Sequence, residues 1–224
     1  MIKADNLQQL KEERIKNNVW GSLNKGKLKI LERFAGNKIL DVGCSKGEII
    51  YYLNNHGYNA YGCDLIKDTA WEGKYKTKFC VADIYNLPFA DNSFDTVISF
   101  EVFEHLKYPI KALNELFRVT KEKVILSVPN CEHIKSLFNS GITFAHYEDR
   151  THVNFFTEDK LTRLIKNNKY KIEYIKKIDS IMPESLLLYS WYLPLKFAII
   201  IGKIFQKVPF KRKYYTDIVV VISK

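Results

Sequence analysis

The run Ile39-Leu40-Asp41-Val42-Gly43-Cys44-Ser45-Lys46-Gly47-Glu48-Ile49 constrains this chain more than any other feature. A short apolar segment enters a glycine-spaced turn, and the turn enters a helical stretch ending near Asn54-Asn55-His56-Gly57. Glycines at a strand-to-helix turn let the backbone approach a ligand and aim the helix's first amides at it. The alternation continues downstream. Ala60–Asp64, Phe79–Asp83, Phe94–Ser99 and Lys123–Val128 read as strands, the last stopped by Pro129. Ile110–Val119 reads as a helix with Ile110, Leu113, Leu116 and Phe117 on one face. Phe94–Ser99 is nearly continuously apolar, as a strand covered on both faces requires. Lys171–Ile178 and Tyr215–Ile222 complete seven strands. Strict alternation implies right-handed crossovers. The expected class is α/β, with a seven-stranded, mainly parallel sheet, helices on both faces and a helical insertion before the last strand.

A chain of 224 residues suits one domain spanning 1–224. Residues 1–37 hold N-terminal helices, with Leu7, Leu10 and Ile15 on one face and Leu28, Ile30, Leu31 and Phe34 on a second. Ala35-Gly36-Asn37 reads as a left-handed helix cap. Residues 38–130 form a ligand-binding core. Residues 131–224 form an acceptor-side region, which begins with an excursion carrying His133, His146 and His152. Thr157, followed by Glu158 and Asp159, opens a late helix. The N-terminus lacks an apolar leader core, and Cys44, Cys63, Cys80 and Cys131 show neither C-x-x-C nor zinc-ligand spacing. A cytoplasmic location with reduced thiols is expected. The net charge of +10 favours anionic partners. A general richness in Lys, Asn, Ile and Tyr accounts for it equally well.

Four motifs carry chemistry. Asp41, Gly43, Cys44, Ser45 and Gly47 form an acid followed by G-x-x-x-G; without the third glycine of a dinucleotide fingerprint, the turn suits an amino acid headgroup better than a pyrophosphate. Asp64, before Leu65, ends the second strand. Asp83 and Ile84 follow the third, ahead of Leu87-Pro88-Phe89-Ala90-Asp91-Asn92-Ser93-Phe94-Asp95. Ser99, Phe100, Glu101, Glu104 and His105 follow the fourth. In order, spacing and strand context these resemble the class I S-adenosylmethionine (SAM)-dependent methyltransferases, whose domain is Rossmann-like. The Leu87–Asp95 run resembles the L-P-F-x-D-x-S-F-D signature of a subfamily acting on small molecules and lipids. Ser45 stands where the family has its middle glycine, so a positive φ there would carry modest strain.

The resemblance implies SAM as cofactor. Asp41 would meet its ammonium group, Asp64 its ribose hydroxyls, and Asp83 and Ile84 its adenine; Ser99, Phe100 and Glu101 would line its methionine. Methyl transfer is an in-line displacement that holds the acceptor about 3–3.5 Å from the methyl. A hydroxyl acceptor also needs a base. The catalytic candidates are His105, His152 and Glu101, with His133 a further possible base. His105 and Glu104 could equally brace the next helix. His152 could equally be structural; it lies in Thr151-His152-Val153-Asn154-Phe155-Phe156-Thr157, which resembles a His-x-Asn-x-Phe-[ST] segment of the subfamily. No metal is expected, because the carboxylates are spread across the motifs.

The implied acceptor is a small molecule, a glycan or a lipid-linked compound. Residues 183–210 are the most apolar stretch, divided by Pro194 and punctuated by Lys196, Lys203 and Lys207. Neither half has the about 20 continuous apolar residues that a membrane span needs. The stretch reads either as a cover or homodimer contact, or as a peripheral membrane contact at the inner face through Trp191, Tyr192, Leu195 and Phe197. A nucleic-acid acceptor is not expected: Ser99-Phe100-Glu101-Val102 stands where amino-methylating DNA enzymes carry N-P-P-Y or D-P-P-Y. The non-enzymatic alternative is a SAM-fold protein that binds a partner or nucleic acid through its basic surface.

Overall fold

The structure, a computed structural model, describes residues 24–132, 149–181 and 214–224; at positions 180, 181 and 214 it describes the backbone alone. The helix around Leu7, Leu10 and Ile15, the residues His133 and His146, and the insertion 183–210 lie outside the described residues.

The elements are α1 (Lys25–Phe34), β1 (Lys38–Val42), α2 (Glu48–Asn55), β2 (Asn59–Asp64), β3 (Phe79–Val81), β4 (Phe94–Phe100), α3 (Pro109–Val119), β5 (Thr120–Pro129), α4 (Glu158–Asn167), β6 (Lys171–Ile181) and β7 (Tyr214–Ser223). The sheet runs β3-β2-β1-β4-β5-β7-β6. The first five strands are parallel, and β7 lies antiparallel between β5 and β6. This is the expected seven-stranded, mainly parallel sheet. Strand order reverses between β1 and β4, so the crevice beyond their carboxyl ends is where such a sheet binds ligands.

Period-two alternation builds a core on each face. Leu40, Val97, Val124, Leu126, Val220 and Ile222 pack with Leu113, Leu116 and Phe117 of α3 and Leu161 and Ile165 of α4. Ile39, Ile98, Ile125, Val219 and Val221 face the other way, against Leu28 and Leu31 of α1 and Ile49, Ile50 and Leu53 of α2. Each such fully buried side chain contributes roughly 1.5–3 kcal/mol of transfer free energy. That two-sided burial explains why β4 reads as a nearly continuous apolar run.

The structure corrects local expectations. Gly36 is not a left-handed cap: Ala35, in extended conformation, ends α1. A Cβ at Gly36 would lie 2.6 Å from the Asp95 Cβ, so close approach of α1 to β4 requires that glycine. β3 stops at Val81, two residues early: the Ala82 amide makes the last bond to β2, donating to the Asp64 carbonyl, and Asp83 then enters a turn. β5 is longer than expected at both ends, and Pro129 remains in register opposite Asp217. α3 starts at Pro109, whose fixed φ suits a first helical position.

The Leu87–Asp95 signature is a scaffold. Leu87 and Phe94 are buried, and Phe89 meets Phe94 edge-on with centroids 5.0 Å apart. Arg118 of α3 donates to the Leu87 and Phe89 carbonyls and to Asp91, while Glu115 accepts the Leu87 amide. Asp95 accepts from the Lys38 amide and from Lys121, tying β4 to the start of β1.

Candidate active site

The turn after β1 is held in left-handed backbone at three positions: Gly43 (φ 85°), Ser45 (φ 45°) and Gly47 (φ 74°). The strain anticipated at Ser45 is therefore present. Neither glycine has room for a side chain: a Cβ at Gly43 would lie 2.3 Å from Val102 Cγ2, and one at Gly47 2.4 Å from Phe79 Cε1. The Gly43 and Cys44 amides donate to the Cys63 carbonyl, and Gly47 caps α2. Cys44 is buried against Gly62. Trp71, which the sequence reading passed over, props the turn. Its indole Nε1 donates to the Ser45 carbonyl at 2.6 Å, and its ring stacks on Phe79.

Two carboxylates flank this turn. Asp64 ends β2 and accepts the Ser45 amide at 2.8 Å. Asp41, on the central strand β1, is 3% exposed. Burial, with Asp64 adding a like charge, pushes its carboxyl up to about 8. A cationic ligand group beside it would reverse that shift. Beyond Asp64, Leu65 and Ile66 stand 66% and 75% exposed. Asp83 is exposed and accepts the Tyr85 amide, while the half-buried Ile84 packs against the α3-side core.

The residues after β4 are placed less simply. The Ser99 hydroxyl is buried and donates to the Val42 carbonyl at 2.9 Å, so it ties β4 to β1. Phe100 is buried in the α1-side core. Glu101 lies in left-handed backbone (φ 55°) and accepts from Lys27 Nζ and the Ser127 hydroxyl. Lys27 is 1% exposed. Its Nζ lies 2.7 Å from Glu101 and 3.2 Å from Asp217 of β7. Burial would lower the Lys27 pKa, but Glu101 and Asp217 outweigh it and hold the ammonium above its ordinary range. Burial and Glu101 raise Asp217 to about 6, against the pull of Lys27. Glu101, itself a third exposed, is thus tied to a buried lysine. The missed signal was Lys27's position on the apolar face of α1, three and four residues before Ile30 and Leu31.

A second cluster brings together residues far apart in sequence. Glu104 is 2% exposed; its carboxyl is pushed up to about 8 by burial first and by Glu101 second. Its Oε1 lies 3.9 Å from His105 Nε2, and its Oε2 has no hydrogen-bond partner among the described residues. The His105 and His152 rings meet edge-on, centroids 4.7 Å apart. One ligand atom from each of Glu104, His105 and His152 lies within 4.8 Å of the others. The Thr151 hydroxyl donates to Asp149 at 2.6 Å and lies 2.9 Å from His105 Nδ1, so it is placed to accept that nitrogen's proton.

Asn154 holds the two segments together. Its side chain donates to the Phe103 and Leu106 carbonyls, and the Val153 and Asn154 amides both donate to the Glu104 carbonyl. Phe156 enters the core, and the Thr157 side chain caps α4. The His152–Thr157 segment thereby has a structural reason at each of these positions. The expectation of no metal counted acids alone. Folding places two histidines and an acid together, which the 46 residues between His105 and His152 conceal.

A family model described as a methyltransferase domain matches residues 40–128. An uncharacterised protein of Methanocaldococcus jannaschii is 30% identical over 169 residues, 72% of either chain. A ubiquinone biosynthesis O-methyltransferase of Rickettsia bellii is 28% identical over 153 residues, covering 62% of this chain and 63% of that one. A crystal structure titled as a SAM-dependent methyltransferase from Archaeoglobus fulgidus superposes with a TM-score of 0.62, at 20% identity, over 97% of this chain and 99% of that one.

Proposed function

The chain belongs to the class I SAM-dependent methyltransferases, and from that premise we propose that it methylates an oxygen of a small, lipid-soluble acceptor. The observation that carries the reading is the paired geometry at the crevice: a backbone turn flanked by Asp41 and Asp64, with a histidine pair beyond β4. Asp41 meets the SAM ammonium. Asp64, freed from the Ser45 amide or sharing it, takes the ribose hydroxyls. Asp83 and Ile84 take the adenine, with exposed Leu65 beside them. The methionine passes Gly43 to Gly47 and the backbone of Ser99–Glu101.

Glu101, paired with Lys27, shapes the pocket. His105 and His152 are the groups on hand for an acceptor hydroxyl's proton. The likeness to an enzyme of ubiquinone biosynthesis supports an apolar acceptor. So do the exposed Tyr108, Val153 and Phe155 around the histidines. No helix among the described residues is long and apolar enough to cross a membrane. We propose further that the apolar stretch 183–210 is the segment that meets a lipid-soluble acceptor.

The test is transfer from methyl-labelled SAM into a fractionated lipid extract. Label that enters the organic phase, with a base-stable ether linkage, is the expected result. Label confined to water-soluble products would overturn the lipid-soluble acceptor.

A further inference from the structure

We propose that Glu104, His105 and His152 form a binding site for one divalent first-row transition ion, such as zinc, cobalt or manganese. Three observations converge. The ligand atoms are already gathered within 4.8 Å of one another. A tetrahedral ion with bonds of about 2.0–2.1 Å needs its ligands about 3.4 Å apart, so a modest inward rotation of the rings completes the set. Next, Glu104 Oε2 is buried and has no hydrogen-bond partner among the described residues. A buried carboxylate oxygen left unpaired is costly, and a cation would satisfy it. Last, His105 is oriented as a ligand: with its Nδ1 turned toward the Thr151 hydroxyl, which itself donates to Asp149, Nε2 faces Glu104. Metal-bound histidines are commonly fixed by such an outer partner.

Two imidazoles and one carboxylate favour borderline transition ions over magnesium or calcium, which take oxygen ligands. Three protein ligands leave at least one coordination position open, the arrangement of catalytic rather than structural sites.

Binding stands on these residues alone; its use in catalysis rests on the methyltransferase reading. An acceptor hydroxyl entering the open position would lose its proton more readily. With both imidazoles engaged as ligands they take no proton themselves, and that proton passes to solvent. The oxygen then forms a bond to the methyl carbon as the S–CH3 bond breaks and its electron pair returns to sulfur.

The test is cobalt(II) titration of the chelator-stripped full-length protein without SAM, followed by visible absorption. One equivalent should bind with a saturable absorption band, displaced by zinc. Glu104→Gln and His152→Ala should each weaken binding by about tenfold or more, while His56→Ala, at the exposed end of α2, should leave it unchanged. If either ligand variant unfolds, Thr151→Val, which removes the orienting hydroxyl, should weaken binding by about tenfold. No saturable band in the wild type, or equal affinity in the folded variants, would overturn the site. Because SAM is absent, that failure leaves methyl transfer untouched; conversely, absence of transfer with cobalt bound would break the methyltransferase reading and not the site.

Discussion

The two sides of the crevice are built by different rules. On the β1–β3 side, Asp41 to Gly47 and Asp64 lie in or just beyond the strands that position them, and one turn sets the geometry. On the β4–β5 side, the groups come from α1, the loop after β4, β5, the segment before α4, and β7. A site made of consecutive residues writes its spacing into the sequence. A site assembled across the fold does not.

That contrast explains what was legible. The seven strands, their mainly parallel order and the glycine turn followed from period and spacing. The place of Asp64 was legible because it ends a strand. Lys27 was missed although its place on the apolar face of α1 marks it as a buried cation, and no spacing rule names its partner Asp217 on β7. His152 was noticed, but nothing local says that Asn154 carries it to Glu104 and His105. Resemblance also mixes roles: the Leu87–Asp95 run that resembles a subfamily signature serves α3 and β4 as a brace. Gly36 was misread because close packing against Asp95, not helix termination, demands it.

The largest effect should fall on the local side. Gly43→Val adds a side chain where even a Cβ would meet Val102 at 2.3 Å, in left-handed backbone. SAM binding by calorimetry should drop at least about a hundredfold, an expectation from strain and steric exclusion together. Unchanged affinity would show that the turn does not approach the ligand.

On the assembled side, Lys27→Met removes the buried cation from Glu101 and Asp217, whose side chains are 33% and 14% exposed. Breaking a fully buried pair costs about 3–5 kcal/mol; the part exposure of the two acids puts the expected loss at the low end, about 3 kcal/mol, measurable by urea unfolding. A smaller loss should follow Asn154→Ala, which forfeits hydrogen bonds to the Phe103 and Leu106 carbonyls, about 1–3 kcal/mol. Methyl transfer should fall in that variant with SAM affinity kept; parallel loss of both would erase the distinction between the two sides.

Asp41 sharpens the comparison through pH. Its carboxyl is raised to about 8 in the free protein, and a bound ammonium favours the ionised form. SAM affinity should therefore weaken as pH falls below about 8, by up to about tenfold per unit, and Asp41→Asn should flatten the profile. Stability runs the other way. A carboxyl raised above its ordinary 3.8 makes the ligand-free protein lose stability as pH rises from about 4 to about 8. The smallest effect belongs to neither side: Arg163→Ala removes an exposed pair with Asp159 on α4 and should cost under about 0.5 kcal/mol.

The most direct measurement is SAM calorimetry on two variants beside the wild type, Asp64→Ala and His105→Ala. SAM should bind the wild type and His105→Ala with similar affinity and bind Asp64→Ala at least about a hundredfold more weakly, the scale of about 2.7 kcal/mol, with all three proteins melting cooperatively. Equal affinity in Asp64→Ala, or its loss in a folded His105→Ala, would contradict the division of the crevice into a cofactor side and an acceptor side.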